Sequence, residues 1–355
     1  MRLQRLRKLL SGEELDALLV STPENRRYLS GFTGSAGHLL VTDQEAVLAT
    51  DFRYVEQAKR QAPSWQVKQV SNDPSWFVQL ASEFNLARIG FESDFVTVSQ
   101  YQNLVQSLRE RSAAEKVSLV ATSGLVERLR VVKDSEELAL MQRAAEIADQ
   151  AMKTVAPTIR PGQAERAIAW ELERRMRELG AEAVSFEIIV AAGPNGAMPH
   201  HHPSERPVEA GEPIVIDMGA RYRGYCSDLT RTVFAGEPDP LFRKVYDIVL
   251  GAQLTAMALI RPGMTGEEAD ALARQVIKEA GYGDAFGHSL GHGVGLAVHE
   301  TPRLGPGSSQ VLEEGMAFSV EPGVYLPGQG GVRIEDMVVL EKEGVRSLSK
   351  ACKAL

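Results

Sequence analysis

The sequence predicts an α+β domain with an internal repeat, preceded by an α/β domain with a small mixed sheet. Three observations carry this. Gly211-Glu-Pro-Ile-Val-Ile-Asp217 and Gly315-Met-Ala-Phe-Ser-Val-Glu321 share one pattern, a glycine turn, an apolar run and an acid. Ile159-Arg-Pro-Gly162 recurs as Ile260-Arg-Pro-Gly263. The opening stretch, residues 1–127, instead alternates short apolar runs with helical segments, the pattern of a sheet covered by helices.

In chain order, Met1 to Leu10 is basic and amphipathic and lacks the continuous apolar core of a secretory signal, so a surface helix is expected. Ala17 to Val20, His38 to Val41, Ala46 to Ala49 and Arg88 to Phe91 are expected strands, and Tyr54 to Gln61 and Ser99 to Arg109 expected helices. Gly31-Phe-Thr-Gly-Ser-Ala-Gly37 lacks the lysine of a phosphate-binding loop and reads as a turn between strands. Asp51-Phe-Arg-Tyr54 closes a strand and places Arg53 and Tyr54 at a helix start, in structural roles by default.

The second domain, residues 128–355, opens after Asp134-Ser-Glu-Glu137, an N-cap with an acid three residues on, so a helix starts at Ser135. Helical patterns flank each Arg-Pro-Gly copy, Ala144 to Val155 and Ala164 to Leu179 around the first, Val245 to Ala258 and Glu267 to Ala280 around the second. Each half continues through a histidine-bearing segment to a buried strand ending in Asp217 or Glu321. A second acid follows, Asp228 or Glu335. An acid at the end of a buried strand is costly unless paired, hydrogen-bonded or bound to metal. Four such acids, placed by a repeat, suggest two half-sites facing each other across a pseudo-dyad and holding two divalent metals.

Composition narrows the classes. The 355 residues suffice for two domains, with 44% apolar and 24% charged residues. A net charge of −8 with no continuous Lys/Arg run argues against a nucleic-acid surface, and no apolar run reaches the length of a bilayer span. Two cysteines, Cys226 and Cys352, make neither a disulfide framework nor a thiolate cluster, and point to reducing cytoplasm.

Six of the seven histidines lie between His200 and His299, three of them in Gly287-His-Ser-Leu-Gly-His-Gly-Val-Gly-Leu-Ala-Val-His299. Glycines there let the backbone approach something closely. One imidazole from this run with the four acids gives a mostly oxygen donor set, suited to Mn²⁺ and less selectively to Co²⁺ or Zn²⁺. There is no His-Glu-x-x-His, and Gly291, Gly293 and Gly295 do not have dinucleotide spacing. His200-His-His202 also fits a solvated loop. A paired-acid glycosidase is disfavoured by an aromatic content of 6%.

The order Asp217, Asp228, His292, Glu321, Glu335 resembles the pita-bread metallopeptidases, the group of methionine aminopeptidase, aminopeptidase P and prolidase. The likeness covers the whole second domain, through Ile216-Asp-Met-Gly219, Ser227-Asp-Leu-Thr-Arg-Thr232, Gly291-His-Gly-Val-Gly295, Val298-His-Glu300, Val320-Glu-Pro-Gly323 and Arg333-Ile-Glu-Asp336. The first domain resembles that of the proline peptidases.

The resemblance implies a pita-bread fold and two divalent ions, one on Asp228, His292 and Glu335, the other on Asp217, Glu321 and Glu335, with Asp228 and Glu335 bridging. It implies attack by a water acidified between the metals, with Glu321 moving protons, His200 and His299 contacting substrate and oxyanion, His288 lining the pocket, and Arg333 orienting substrate or the groups behind the ligands. It implies hydrolysis of Xaa-Pro bonds in short peptides by a homodimer. Arg303 is then the candidate clamp for a free substrate carboxylate, with Arg53 of a neighbouring subunit as the other candidate, and such a clamp favours a dipeptidase over an aminopeptidase. A silent peptide-binding relative would hold no stoichiometric metal, and a methionine aminopeptidase with an added domain would not need proline.

Overall fold

A computed structural model describes residues 2–71, 73–111 and 117–354. The chain divides into two compact units, Met1–Arg130 and Val131–Leu355.

The first unit is built on a six-stranded mixed sheet, in the order Gln66–Gln69, Ala46–Thr50, His38–Thr42, Ala17–Val20, Arg88–Glu92, Ser118–Thr122. The four inner strands are the expected apolar runs, buried because they are flanked on both edges. The two edge strands escape the sequence pattern, since Gln-Val-Lys-Gln at 66–69 is polar and half-exposed. Gly31–Gly37 differs from expectation too. It follows a helix, Pro23–Ser30, with proline in the first turn and Gly31 as a left-handed C-cap at φ 79°. The loop therefore joins a helix to a strand. Arg53 is held in the loop by both oxygens of Asp51.

The second unit opens as its sequence dictates. Asp134 and Glu137 exchange side-chain-to-backbone bonds of 2.9 Å, a complete capping box for the helix Ser135–Val155. This helix and Glu165–Glu178 flank the first Arg-Pro-Gly turn, and Pro240–Leu259 and Gly266–Glu279 flank the second. The two turns are bonded alike. Gly162 N–H donates to the Val208 carbonyl at 2.8 Å and Gly263 N–H to the Leu312 carbonyl at 2.9 Å, with φ near +90° at both glycines. The repeat is structural as well as textual.

Each helix pair packs over a small antiparallel sheet, and each pair has its own apolar core. In the first half Pro213–Met218 lies between Ile189–Ala192 and Leu229–Phe234. In the second Ala317–Val320 lies between Gly291–Gly293 and Asp336–Glu341. The acids occupy matching places. Asp217 is on the central strand and Asp228 just precedes its partner, while Glu321 just follows the central strand and Glu335 just precedes its partner.

Candidate metal centre

All ten residues singled out from the sequence line one cavity of about 700 Å³ in the second unit: Asp217, Asp228, His292, Glu321, Glu335, His200, His288, His299, Arg303 and Arg333. Asp228, His292 and Glu335 are the tightest group, each offering a ligand atom within 4.8 Å of the other two. His292 Nε2 is 3.6 Å from Asp228 Oδ2 and 3.3 Å from Glu321 Oε1. Its Nδ1 lies 3.1 Å from the Gly293 carbonyl, a bond that leaves Nε2 turned to the acids, as a metal ligand requires.

The glycines around His292 answer to close approach. A Cβ at Gly291 would fall 1.9 Å from the Ser319 carbonyl oxygen, and one at Gly293 2.1 Å from that of Thr301. Only bare backbone brings this strand near enough to set His292 among the acids.

The electrostatics call for a cation. Burial, then the charges of Glu335 and Asp217, push Asp228 well above the usual carboxylate range. Burial, then Glu321 and Asp217, do the same to Glu335. Asp217 is raised too, by burial against the opposing pull of Arg333. Glu321 goes the other way. Burial opposes its ionisation, but the bond from His292 brings it down to about 2. Asp217 Oδ1 is buried with no hydrogen-bond partner, although Oδ2 accepts from Arg333 at 2.7 Å. An orphaned carboxylate oxygen beside crowded acids and one imidazole fits a hard divalent ion.

Neutral and charged groups outside this set hold it in place. Thr230 Oγ1 donates to Glu335 Oε2 at 2.6 Å, and Ser319 Oγ to Glu321 Oε1 at 3.0 Å. Arg333 is buried, and its guanidinium reaches Thr230, Tyr325 and Asp217. Tyr325 receives a bond of 2.8 Å from Arg333 and sits 2.9 Å from His288 Nε2. With His288 Nδ1 bonded to the Ser289 carbonyl at 2.8 Å, Tyr325 is the donor to Nε2, and burial keeps this imidazole neutral by lowering its pKa. The His299 ring lies tilted at 56° with its centroid 4.4 Å from that of His292, and its pKa is lowered by burial, then by His292. Arg303 lies opposite His292 in the strand register, so both side chains share a face.

Sequence reasoning missed Thr230, Ser319 and Tyr325, and with them Glu165. The buried Glu165 accepts from Ala192 N, Asn195 Nδ2, Ser204 N and Ser204 Oγ, and pairs with His201 at 2.9 Å. That clasp shapes the loop carrying His200. In the second half Asp270 and Arg274 play the same part, bonding Leu290 N and the carbonyls of Phe286 and His288. Both clasps sit on the helix that follows an Arg-Pro-Gly turn. A buried acid there, repeated in both halves, was the available signal.

Comparison with known proteins agrees with this geometry. Residues 139–342 match metallopeptidase family M24, and residues 2–132 the creatinase/prolidase N-terminal domain. The Xaa-Pro dipeptidase of Pyrococcus furiosus is 38% identical, across 100% of this chain and 99% of its own. Among solved structures, an Xaa-Pro dipeptidase from Bacillus anthracis superposes with a TM-score of 0.95 at 43% identity, covering 100% of this chain and 98% of that one. An X-Pro aminopeptidase from Thermotoga maritima gives 0.90 at 37%, covering 99% of each. The chain belongs to metallopeptidase family M24 and carries the pita-bread fold of its proline-peptidase branch.

Proposed function

We propose that this protein is a dinuclear metallopeptidase that hydrolyses Xaa-Pro bonds, most readily in free dipeptides. One observation carries the reading. A cavity in a chain similar end to end to Xaa-Pro dipeptidases gathers Asp228, His292 and Glu335 within ligand distance of one another. Asp228, His292 and Glu335 would hold one ion, and Asp217 and Glu321 would complete a second site that shares Asp228 and Glu335. Bound there, a metal pair supplies Lewis acidity and lowers the pKa of water towards neutrality. Oxygen donors with a single imidazole suit Mn²⁺, and Co²⁺ or Zn²⁺ less selectively.

The chain's own groups do the rest. Glu321 takes the proton of the attacking water and delivers it to the leaving proline nitrogen. His299 and His200 line the cavity where they can donate to the carbonyl oxygen as it gains charge. His288 is a neutral wall, its donor already used on Ser289. Arg333 orients Asp217 and Tyr325 from beneath. An Xaa-Pro bond has no N–H and a fixed φ, so a closed pocket suits it better than extended-strand recognition.

Arg303 favours the dipeptidase. It faces the cavity across the strand pair from His292, with Nε on Ser289 Oγ and Nη1 on the Pro306 carbonyl. Charge-assisted pairing with a proline carboxylate would close the site after that residue. The aminopeptidase reading remains the alternative, since an X-Pro aminopeptidase structure is 37% identical. A homodimer is proposed from family likeness. Cytoplasmic location is proposed from the low cysteine count, Cys226 and Cys352 alone, and no helix among the described residues is long and apolar enough to cross a membrane. The deciding test is product analysis with Mn²⁺-loaded protein on Ala-Pro and Ala-Pro-Ala. Cleavage of Ala-Pro alone supports the dipeptidase, release of Pro-Ala supports the aminopeptidase, and failure on both refutes the proline assignment.

A further inference from the structure

Arg231 lies on the strand Leu229–Phe234 with 2% of its side chain exposed. A guanidinium has five N–H groups, and here all five are engaged. Nη1 donates to the carbonyls of Thr230 and Glu335 at 2.9 and 2.6 Å. Nη2 donates to Asp336 Oδ1 at 2.8 Å and to the Ala351 carbonyl at 2.7 Å, and Nε to the Cys352 carbonyl at 3.1 Å. A buried charge so fully satisfied is a positioning device, because any shift of one acceptor leaves a donor orphaned in low dielectric.

Two of the five acceptors belong to the metal centre's frame. Glu335 has its peptide N–H on the Thr230 carbonyl at 3.0 Å and its carbonyl on Arg231. Two others belong to the C-terminal segment, which is fastened independently. Asp149 accepts from the N–H groups of Lys350 and Ala351 at 2.7 and 2.9 Å. Tyr246 donates to the Lys353 carbonyl at 2.8 Å, and Lys353 Nζ bridges Gln253 and the free oxygen of Asp336. Lys350, Cys352 and Ala354 are exposed, so the segment is a surface strap held mainly by polar bonds.

We propose that Arg231 and the segment Ser349–Lys353 act as a positioning strap for Glu335, so that the C-terminal segment tunes metal affinity. The inference rests on the reading of Glu335 as a metal ligand. Arg231 is not among the residues that line the cavity of the five candidate ligands. It acts through the Glu335 peptide, and a lysine there has no planar fork to span strap and ligand at once.

The test is calorimetric titration of metal-free protein with Mn²⁺, with circular dichroism and Tm recorded on the same samples. The samples are the wild type, Arg231→Lys, Lys353→Met and a chain ending at Leu348. Partners behind metal ligands typically set affinity within ~10–100-fold. Arg231→Lys and the truncation should therefore bind about tenfold more weakly or worse, and Lys353→Met about two- to fivefold more weakly. At saturating Mn²⁺ the KM for Ala-Pro should stay near the wild-type value. Folded variants with unchanged affinity overturn the strap, even if their Tm falls, since a fold staple alone would lower Tm and spare affinity. If the truncated chain does not fold, the two point variants decide. A wild type that takes up no Mn²⁺, Co²⁺ or Zn²⁺ refutes the metal reading itself, a distinct outcome.

Discussion

Thr230 Oγ1 and Glu335 Oε2 lie 2.6 Å apart, joining a residue of the first half to an acid of the second. The bond engages Oε2 and would so set how Glu335 meets a metal in the proposed site. The same hydroxyl receives Arg333 Nε at 3.2 Å. Thr230→Val keeps shape and burial while deleting both contacts. Metal affinity should fall about tenfold, measured by titration of the metal-free protein. An unchanged affinity would mean that Glu335 is oriented without Thr230.

The crowded acids tie stability to pH. Asp228 and Glu335 have folded-state values raised above 3.8 and 4.5, by burial first and by neighbouring acids second. Between those ordinary values and the raised ones, the folded metal-free chain keeps protons that the unfolded chain has released. Stability therefore falls as pH rises through this window. Glu321 has the opposite sign, but its contribution is lost only as pH falls from 4.5 through about 2. Metal takes the place of the retained protons. The Tm gain from saturating Mn²⁺ should thus grow between about pH 5 and pH 8. Scanning calorimetry across that range checks it, and a gain that shrinks with pH contradicts the charge assignment.

Gly291→Ala tests the close approach at His292. The added methyl would sit 1.9 Å from a backbone oxygen, which cannot swing aside as a side chain can. The strands must part, at about 1–3 kcal/mol. Both Tm and metal affinity should drop, because the displaced strand carries His292. Loss of Tm with metal affinity intact would show that His292 is placed independently of the strand spacing.

The acids were legible in the sequence because a repeat wrote them twice, at the ends of buried runs where an unpaired charge is costly. The inner strands of the first unit were legible for the related reason that burial on both faces leaves continuous apolar runs. Its two edge strands were not, since half-exposed pairing needs no apolar signature. Thr230, Ser319 and Tyr325 were missed because a hydroxyl in a strand looks like any other until its partner is known. Alternation offered one hint, as Thr230 and Thr232 fall on the side set by Asp228. Arg231 read as one letter of a family motif, and its bonds to Ala351 and Cys352 link positions 121 residues apart or nearly so, beyond any local pattern.

Under the proposed function, Arg303 would be the residue that decides substrate length. It lies opposite His292 in the antiparallel pair, so a carboxylate bound to it would sit on the metal-ligand face. Its Nε and Nη1 are occupied by Ser289 and Pro306, which hold the guanidinium in place at the cavity wall. A pre-organised arginine loses little freedom on binding an anion, and a hydrogen bond to a charged group contributes about 1.5–3 kcal/mol. Arg303→Ala should accordingly lower kcat/KM on Ala-Pro by about tenfold to a hundredfold. Ala-Pro-Ala places a peptide bond where the carboxylate stood, so any turnover of it should change far less. Comparison of kcat/KM for the two substrates in wild type and variant measures the difference directly. Equal losses on both would remove Arg303 as the clamp and return the aminopeptidase to first place.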